Sequence, residues 1–257
     1  MYPTPVTSAE KVAAFGACMG LLDSTIDWPL LGQTYCDEGG EVFFDVEARE
    51  ALTDAALHFA SDLGDRLGAG SSLYVGAGVA ELAPICFEAL VLGREVTVVT
   101  LEGFEPSELN RALESASAEL GLELPRFDVR GIDAIPSEPV FDHLWLVSVL
   151  TDPDAFPALH DMLYERRTPG EDGDGATGRG HLADDKQNAR ALVEACLDRL
   201  DLGPVVLATT DEEWQLVGPA LRKRRRGIEL PEQGRLSPIV GDVVRLVDVA
   251  PPREEVE

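Results

Sequence analysis

Residues 72–80 read SLYVGAGVA, an apolar run that ends in Gly-Ala-Gly and leads into a helical pattern. A strand that turns sharply into a helix takes glycine where the backbone is tight and where a ligand approaches it closely. Gly76 and Gly78 occupy these two positions, and Ala80 stands where a small residue lets the helix pack on the strand. Glycine also serves such turns for conformation alone, so the stretch by itself leaves both interpretations open.

Short β-rich runs alternate with helical runs from residue 72 onward. The strand candidates are 72–75, 95–101, 126–129, 141–150, 204–210 and 242–249, and the helical patterns between them are 80–93, 105–121, 154–167, 186–200 and 212–224. Several of the strands are apolar on both faces, which is typical of a mostly parallel sheet covered by helices on both sides. The pattern therefore predicts an α/β fold.

The first 66 residues have a different character and are predicted to form an N-terminal helical cap or lid. Helical patterns cover 10–24 and 46–67, and the second has apolar residues at spacings of three and four: Leu52, Ala56, Phe59, Leu63 and Leu67. The stretch between them, 25–44, is irregular and aromatic, which predicts a loop or lid. The rest of the chain is divided into a core at 67–250, a Gly- and Asp-rich flexible insertion at 168–185, and a tail at 251–257.

Polar residues follow the predicted strands at the edge where ligands of open α/β sheets bind. Glu102 lies at the end of the second strand, 24 residues beyond Gly78, and an acidic residue at about this distance bonds ribose hydroxyls in nucleotide-type sites. Asp133 follows the third strand, and Ser148 lies near the end of the fourth. The pattern predicts that these residues share one rim with Gly76 and Gly78.

This order of motifs resembles the class I S-adenosylmethionine-dependent methyltransferases, which have a Rossmann-like fold. The residues that match the family's turn, ribose, adenine and fourth-strand motifs are LYVGAGVA, Glu102, GIDA with Asp133, and FDHLWLV, within residues 67–250. The resemblance implies S-adenosylmethionine as the cofactor. The positions that it implies for cofactor binding are Tyr74, Gly76, Ala77, Gly78, Glu102, Asp133 and Ser148.

Tyr74 departs from the family pattern, because most members have Asp or Glu at this position to hold the ammonium group of the cofactor. Three interpretations stay open: Tyr74 is a buried aromatic residue, its hydroxyl replaces the carboxylate, or the cofactor site has been lost. The stretch YVGAGVAELAPICFEAL is also similar to the corresponding turn of nicotianamine synthase, which lacks the acidic residue. That similarity implies, as an alternative, transfer of an aminocarboxypropyl group.

The charge of the chain limits the kinds of molecule that it is expected to bind. The chain of 257 residues carries 47 acidic and 21 basic residues, a net charge of −26. Such a field repels phosphate backbones and disfavours nucleic acid as a partner, whereas a small-molecule, peptide or cationic acceptor remains compatible. A saline habitat explains the acidity equally well. The sequence shows neither a membrane-helix run nor a signal-peptide pattern, which predicts a cytoplasmic protein with no membrane partner. A homodimer is left open.

The cysteines, the histidines, Asp152 and the basic run give only weak indications of function. The four cysteines are scattered and are expected to be free thiols, and neither they nor the four histidines have the spacing of a metal site. Asp152 lies near the expected reaction centre as a weak candidate for a catalytic base, although a helix cap explains it better. The basic run 222–226 is expected either to pair with the protein's own acidic surface or to bind an anionic partner.

The sequence thus favours a methyltransferase acting on a small molecule or peptide. Methyl transfer needs alignment and a dry site more than a catalytic dyad, so the absence of an obvious dyad does not count against it. The competing hypothesis is a non-catalytic binding or assembly subunit of the same fold. In an active protein the space at Gly76–Gly78 would be open, whereas in an inactive one a side chain would fill it.

Overall fold

The computed structural model describes residues 7–36, 38–138, 140–164 and 181–253. The chain divides into two compact units, Met1–Gly131 and Ile132–Glu257. Among the described residues, no helix combines the length and the apolar character that crossing a membrane requires.

The first unit begins with three helices: α1 (Ser8–Thr25), α2 (Trp28–Tyr35) and α3 (Val46–Gly64). A capping box starts α1, because the Thr7 and Glu10 side chains each accept a hydrogen bond from the other's backbone amide. The apolar face predicted for the second helical pattern is confirmed, since Leu52, Ala56, Phe59, Leu63 and Leu67 are all buried.

Helix α2 corrects the prediction that residues 25–44 are irregular. Asp27 caps it by accepting a hydrogen bond from the Leu30 amide, and Pro29 lies in its first turn, where proline is well tolerated. A 3₁₀ turn at Gly40–Val42 follows. The helix is only 8 residues long and has no extended periodicity, so the sequence pattern alone did not reveal it.

A parallel three-stranded sheet forms the other half of the first unit. Its strands are β1 (Ser71–Val75), β2 (Glu95–Thr100) and β3 (Phe127–Val129), in the order β3-β2-β1. A 3₁₀ turn (Val79–Glu81), α4 (Leu82–Phe87) and a π-helical stretch (Glu88–Leu92) connect β1 to β2. Helix α5 (Phe104–Leu120) connects β2 to β3 and buries Leu109, Ala112, Leu113 and Ala116.

The second unit has a mixed sheet with three helices. Its elements are β4 (His143–Leu146), α6 (Pro157–Leu163), α7 (Leu182–Leu197), β5 (Val205–Thr210), α8 (Trp214–Lys223), β6 (Arg226–Glu229), β7 (Arg235–Leu236) and β8 (Val243–Pro252). β4 and β5 are parallel, and β8 runs antiparallel to β5, β6 and β7. The strand order is β4-β5-β8-β6. The parallel strands with helical connections confirm the Rossmann-like α/β fold class.

Several predicted boundaries differ from the structure. α7 begins at Leu182, so its first turn occupies the end of the range predicted as a flexible insertion, whereas 168–180 lie outside the described residues. β8 extends to Pro252, beyond the predicted core limit of 250, and 254–257 lie outside the described residues. The sequence did not predict β6 and β7. The division into a cap at 1–66 and a separate core stays a prediction.

Candidate functional site

The turn after β1 requires glycine at position 76. Gly76 has φ +65°, in the left-handed region that L side chains rarely adopt. Its amide still donates to the Val99 carbonyl oxygen of β2, at 2.8 Å. Gly76 therefore reverses the chain while the backbone remains hydrogen-bonded to the sheet, as the sequence pattern suggested.

Gly78 has a different feature, the close approach of a carboxylate to its backbone. A Cβ atom at residue 78 would lie 2.7 Å from Oε1 of Glu105 and 3.1 Å from its Cδ atom. The neighbouring Val79 amide donates to the same Oε1 atom, at 2.7 Å, and the Gly78 amide donates to Glu81, at 2.9 Å. The two backbone amides at the end of the glycine turn are thus bound by carboxylates of the protein itself.

Tyr35, at the C-terminal end of α2, completes this contact. Its hydroxyl donates to Oε1 of Glu105 at 2.6 Å, so that one carboxylate oxygen accepts from both Tyr35 and Val79. Burial raises the pKa of Glu105, and the two hydrogen bonds oppose that shift. Burial also raises the pKa of Tyr35 well above its ordinary value, with the Glu105 charge as a further cause. Tyr35 therefore donates to Glu105 as a neutral hydroxyl group.

The Tyr35 ring is fixed by aromatic neighbours that follow α2. It stacks on Phe43 with ring centroids 5.5 Å apart and meets Phe44 edge-on at 5.3 Å. Phe44 in turn contacts Trp28, at 5.4 Å between ring centroids. These contacts orient the Tyr35 hydroxyl towards Glu105. The sequence showed this segment as aromatic but gave no sign of its partner 70 residues away.

Tyr74 lies in a buried polar network. Its hydroxyl donates to Oε1 of Glu88 at 2.5 Å, and Glu88 also accepts from the Ser72 hydroxyl and, at 3.0 Å, from Nε of Arg94. Tyr74, Ser72 and Glu88 are fully buried. Burial is the main cause that raises the pKa of Tyr74. The buried-aromatic interpretation agrees with this placement, and a contact of Tyr74 with a cofactor stays a prediction.

Glu102 lies between β2 and α5, at the carboxyl edge of the parallel sheet, and is exposed. This is the same edge of the first unit that carries Gly76 and Gly78, because β1 and β2 are parallel. Ala77 is buried within the turn. The structure thus brings the predicted residues of the first unit to one edge, and the ribose contact of Glu102 stays a prediction.

Asp133 and Ser148 belong to the second unit. Asp133 is exposed in a 3₁₀ turn at Ile132–Ala134. Ser148 follows β4 with φ +58°, an uncommon conformation for a residue other than glycine. The hydroxyl groups of Ser148 and Tyr164 donate to Oδ2 of Asp242, at 3.3 and 2.5 Å. Burial raises the pKa of Tyr164, and the hydrogen bond to Asp242 adds to the shift.

The Asp152 side chain accepts hydrogen bonds from the backbone of the turn that follows it. Its Oδ1 atom accepts hydrogen bonds from the amides of Asp154, at 2.7 Å, and Ala155, at 2.9 Å. These bonds close a local turn rather than cap a helix, because α6 begins at Pro157 with Phe156 as its N-cap residue. The carboxylate of Asp185, on α7, has a similar structural role, because it accepts from the Ala158 and Leu159 amides in the first turn of α6.

Glu213 is a buried carboxylate that the sequence reasoning missed. It accepts hydrogen bonds from the Leu150 amide at 2.8 Å, from the Thr210 hydroxyl at 3.1 Å and from the Thr210 amide at 3.2 Å. Burial raises its pKa to about 7, against the effect of these donors. The Glu213 amide donates back to the Thr210 hydroxyl at 3.1 Å. The Thr-x-x-Glu spacing of a capping box was the available signal.

The basic run at 222–226 pairs with the protein's own surface. Lys223 bonds Glu194 on α7 at 3.2 Å, and Arg224 bonds Asp198 at 2.5 Å. Arg226 is buried and donates to the Gly203 carbonyl oxygen at 2.8 Å. The first of the two expected roles, pairing with the acidic surface, therefore accounts for Lys223 and Arg224. All four cysteines are free, as expected, and Cys36 is the one that is not buried.

Comparisons with known proteins were made at the level of sequence and of structure. No protein-family model matches the chain, and no curated protein sequence matches it. Solved structures do match. A methyltransferase from Pyrococcus furiosus has 13% identity and a TM-score of 0.43, with 77% of this chain and 83% of that chain covered. The precorrin-6y C5,15-methyltransferase from Geobacter metallireducens has 13% identity and a TM-score of 0.41, with 76% and 85% covered.

The S-adenosylmethionine-dependent methyltransferase SibL, in its apo form, has 12% identity and a TM-score of 0.48, with 93% of this chain and 70% of that chain covered. At these identities and scores, the similarities carry no conclusion about cofactor or substrate. The fold class rests on the strands and helices of the chain itself. The local similarity to nicotianamine synthase is not shown by these comparisons.

Proposed function

We propose that this protein is an S-adenosylmethionine-dependent methyltransferase that acts on a small molecule or a peptide. The observation that carries the proposal is the position of the turn after β1, which lies with the exposed Glu102 at the carboxyl edge of the parallel strands β1 and β2. In open α/β sheets, ligands bind beyond the carboxyl ends of the strands, and this turn lies at that edge.

The residues at this edge fit the charge of the proposed cofactor. When bound, S-adenosylmethionine would supply a methyl group on a positively charged sulfonium, and it also carries an ammonium group. Glu81 and Glu105 lie at the turn, and Glu102 is exposed at the end of the adjacent strand. Carboxylates favour such cationic groups electrostatically. Glu102 would hold the ribose hydroxyls, while Glu81 would replace the carboxylate that is missing at Tyr74.

We propose no catalytic base among the described residues. Asp133, at the adenine end, and Ser148 stay predictions of cofactor-binding positions that the family resemblance implies. The Asp152 carboxylate already accepts two backbone hydrogen bonds in the turn before α6, which favours a structural role over that of a base. Alignment of the acceptor and exclusion of water then account for rate enhancement. The net charge of −26 favours a neutral or cationic acceptor over nucleic acid.

Calorimetric titration with S-adenosylhomocysteine tests the proposal. We expect a micromolar Kd for the intact protein and a Kd about 10- to 100-fold weaker for Glu102→Ala, the range for losing hydrogen bonds to a charged group. Glu119→Ala is the matched control, because Glu119 is an exposed glutamate within α5 of the same unit. A folded sample that does not bind at millimolar ligand would refute the proposed cofactor.

A non-catalytic binding or assembly subunit is the second candidate, and one observation favours it. The amides of Gly78 and Val79 are already bound by Glu81 and Glu105, so a protein side chain lies where a ligand would approach the turn. Absence of binding in the titration would support this candidate. An aminocarboxypropyl transferase has no comparable observation in its favour. A homodimer and a cytoplasmic location remain expectations from the sequence.

A further inference from the structure

The contact between Tyr35 and Glu105 joins the N-terminal helical segment to the glycine turn. Oε1 of Glu105 accepts from the Tyr35 hydroxyl, at 2.6 Å, and from the Val79 amide, at 2.7 Å. Because an ideal Cβ atom at residue 78 would lie 2.7 Å from the same oxygen, the carboxylate lies directly against the Gly78 backbone. Any ligand group that contacts the backbone there must first displace Glu105.

Helix α2 is attached to α5 at both of its ends. At its N-terminal end, the Asp27 amide donates to Glu108 at 2.6 Å, and Arg111 donates to the Thr25 carbonyl oxygen at 2.6 Å. Arg111 also pairs with Glu108, so this end is held by an ion pair and two backbone contacts. At its C-terminal end, Tyr35 bonds Glu105 on the first turn of the same helix. The two attachments differ in chemistry: Glu108 pairs with the cation of Arg111, whereas Glu105 accepts from the neutral Tyr35 hydroxyl and the Val79 amide.

The attachment at Tyr35 is built to open more easily than the one at Glu108. Burial raises the pKa of Glu105, which means that its charged form is less stable here than in water. The pKa of Glu108, in contrast, is lowered by its hydrogen bond to Arg111. The cost of removing a charge from water opposes the gain from its hydrogen bonds unless an opposite charge offsets it. The closed contact at the glycine turn is therefore the weaker of the two.

We propose that the Tyr35–Glu105 contact is an autoinhibitory latch, which holds α2 over the glycine turn and must open before a ligand reaches Gly78 and Val79. Opening moves the C-terminal end of α2 while its N-terminal end stays attached at Glu108. The latch rests on the proposed ligand site at this turn. It lowers the apparent affinity in proportion to the fraction of open molecules.

Two conservative variants test the latch, Tyr35→Phe and Glu105→Gln. Tyr35→Phe keeps the ring that stacks on Phe43 and removes only the hydroxyl. Hydrogen exchange of the Val79 amide in the unliganded protein reports opening directly, because that amide is bonded to Glu105. We expect both variants to speed this exchange about five- to tenfold, and to lower the Kd for S-adenosylhomocysteine by a similar factor.

Glu119→Gln is the matched control for Glu105→Gln, because Glu119 is an exposed glutamate on the same helix, α5. It should leave both readouts unchanged, and urea unfolding of each variant identifies any general loss of stability. Exchange and affinity that stay at the wild-type values in Tyr35→Phe would overturn the latch, as would weaker binding. Wild-type binding of the ligand would still support the proposed function in that case. If neither the wild type nor any variant binds, the proposed function fails and the latch with it.

Discussion

The buried carboxylate of Glu213 makes the stability of the protein depend on pH in a direction that the structure fixes. Burial raises the pKa of Glu213 in the folded state to about 7, whereas an unfolded glutamate titrates near 4.5. A group whose folded-state pKa is raised binds its proton more tightly when folded, so stability falls as the pH rises from the unfolded pKa to the folded one. At about 1.4 kcal/mol per pH unit, the full loss is about 3 kcal/mol.

Glu213→Gln isolates this effect, because glutamine resembles the protonated carboxyl group and does not titrate. Between pH 5.5 and 8.5, the linkage relation gives a change of about 2 kcal/mol in the difference between the two proteins. We therefore expect the variant to gain about 2 kcal/mol relative to the wild type over this range. Urea unfolding at several pH values measures the difference, and other carboxylates cancel because both proteins contain them.

Glu232→Gln, at an exposed position of the same unit, serves as the control and should follow the wild type at every pH. Parallel stability curves for the wild type and Glu213→Gln would refute the argument. They would mean that the hydrogen bonds from Leu150 and Thr210 fully offset the cost of burying the charge. If the wild type instead gains stability relative to Glu213→Gln as the pH rises, these donors lower the pKa of Glu213 below its ordinary value.

Three further substitutions test other features by urea unfolding. Arg94→Met should cost about 3–5 kcal/mol, because it leaves the Glu88 charge buried without its ion-pair partner, and a loss under 1 kcal/mol would contradict this view. Gly76→Ala should cost about 1–2 kcal/mol, since φ is +65°, whereas Gly16→Ala in α1 should stabilise the protein. Asp185→Ala should cost about 1 kcal/mol through the lost cap of α6, and Asp184→Ala, on the same turn, should cost less.

The fold class followed from the sequence because its elements have strong local signals. The alternation of apolar strands and amphipathic helices identified every parallel strand that the structure describes, although the ends differ by several residues. The 8-residue helix α2 and the short strands β6 and β7 were missed. Their residues are partly exposed and too few to show a period, so tertiary packing determines their conformation.

The candidate site was predictable only in part, because its contacts join residues that are far apart in the sequence. Gly76 and Gly78 were recognisable from the turn itself. The pairing of Tyr35 with Glu105 across 70 residues was not, and neither was the bond between Tyr74 and Glu88. A side chain finds such a partner only after the chain has folded, so no local pattern records it. Glu213 was the exception, since its Thr-x-x-Glu spacing is a local signal.

Each of the two glycines of the turn has a structural explanation that does not need a ligand. The positive φ of Gly76 explains that glycine without any ligand, because glycine adopts this conformation without the steric cost of a Cβ atom. The close approach of Glu105 explains Gly78 without a ligand as well. A glycine motif alone is therefore equally compatible with the closed, inactive subunit and with the enzyme. The enzyme and the inactive subunit differ in whether a ligand can displace the Glu105 carboxylate from the turn. If a ligand displaces it, Gly78 is a binding residue. If the carboxylate stays in place, Gly78 only allows it to pack against the backbone.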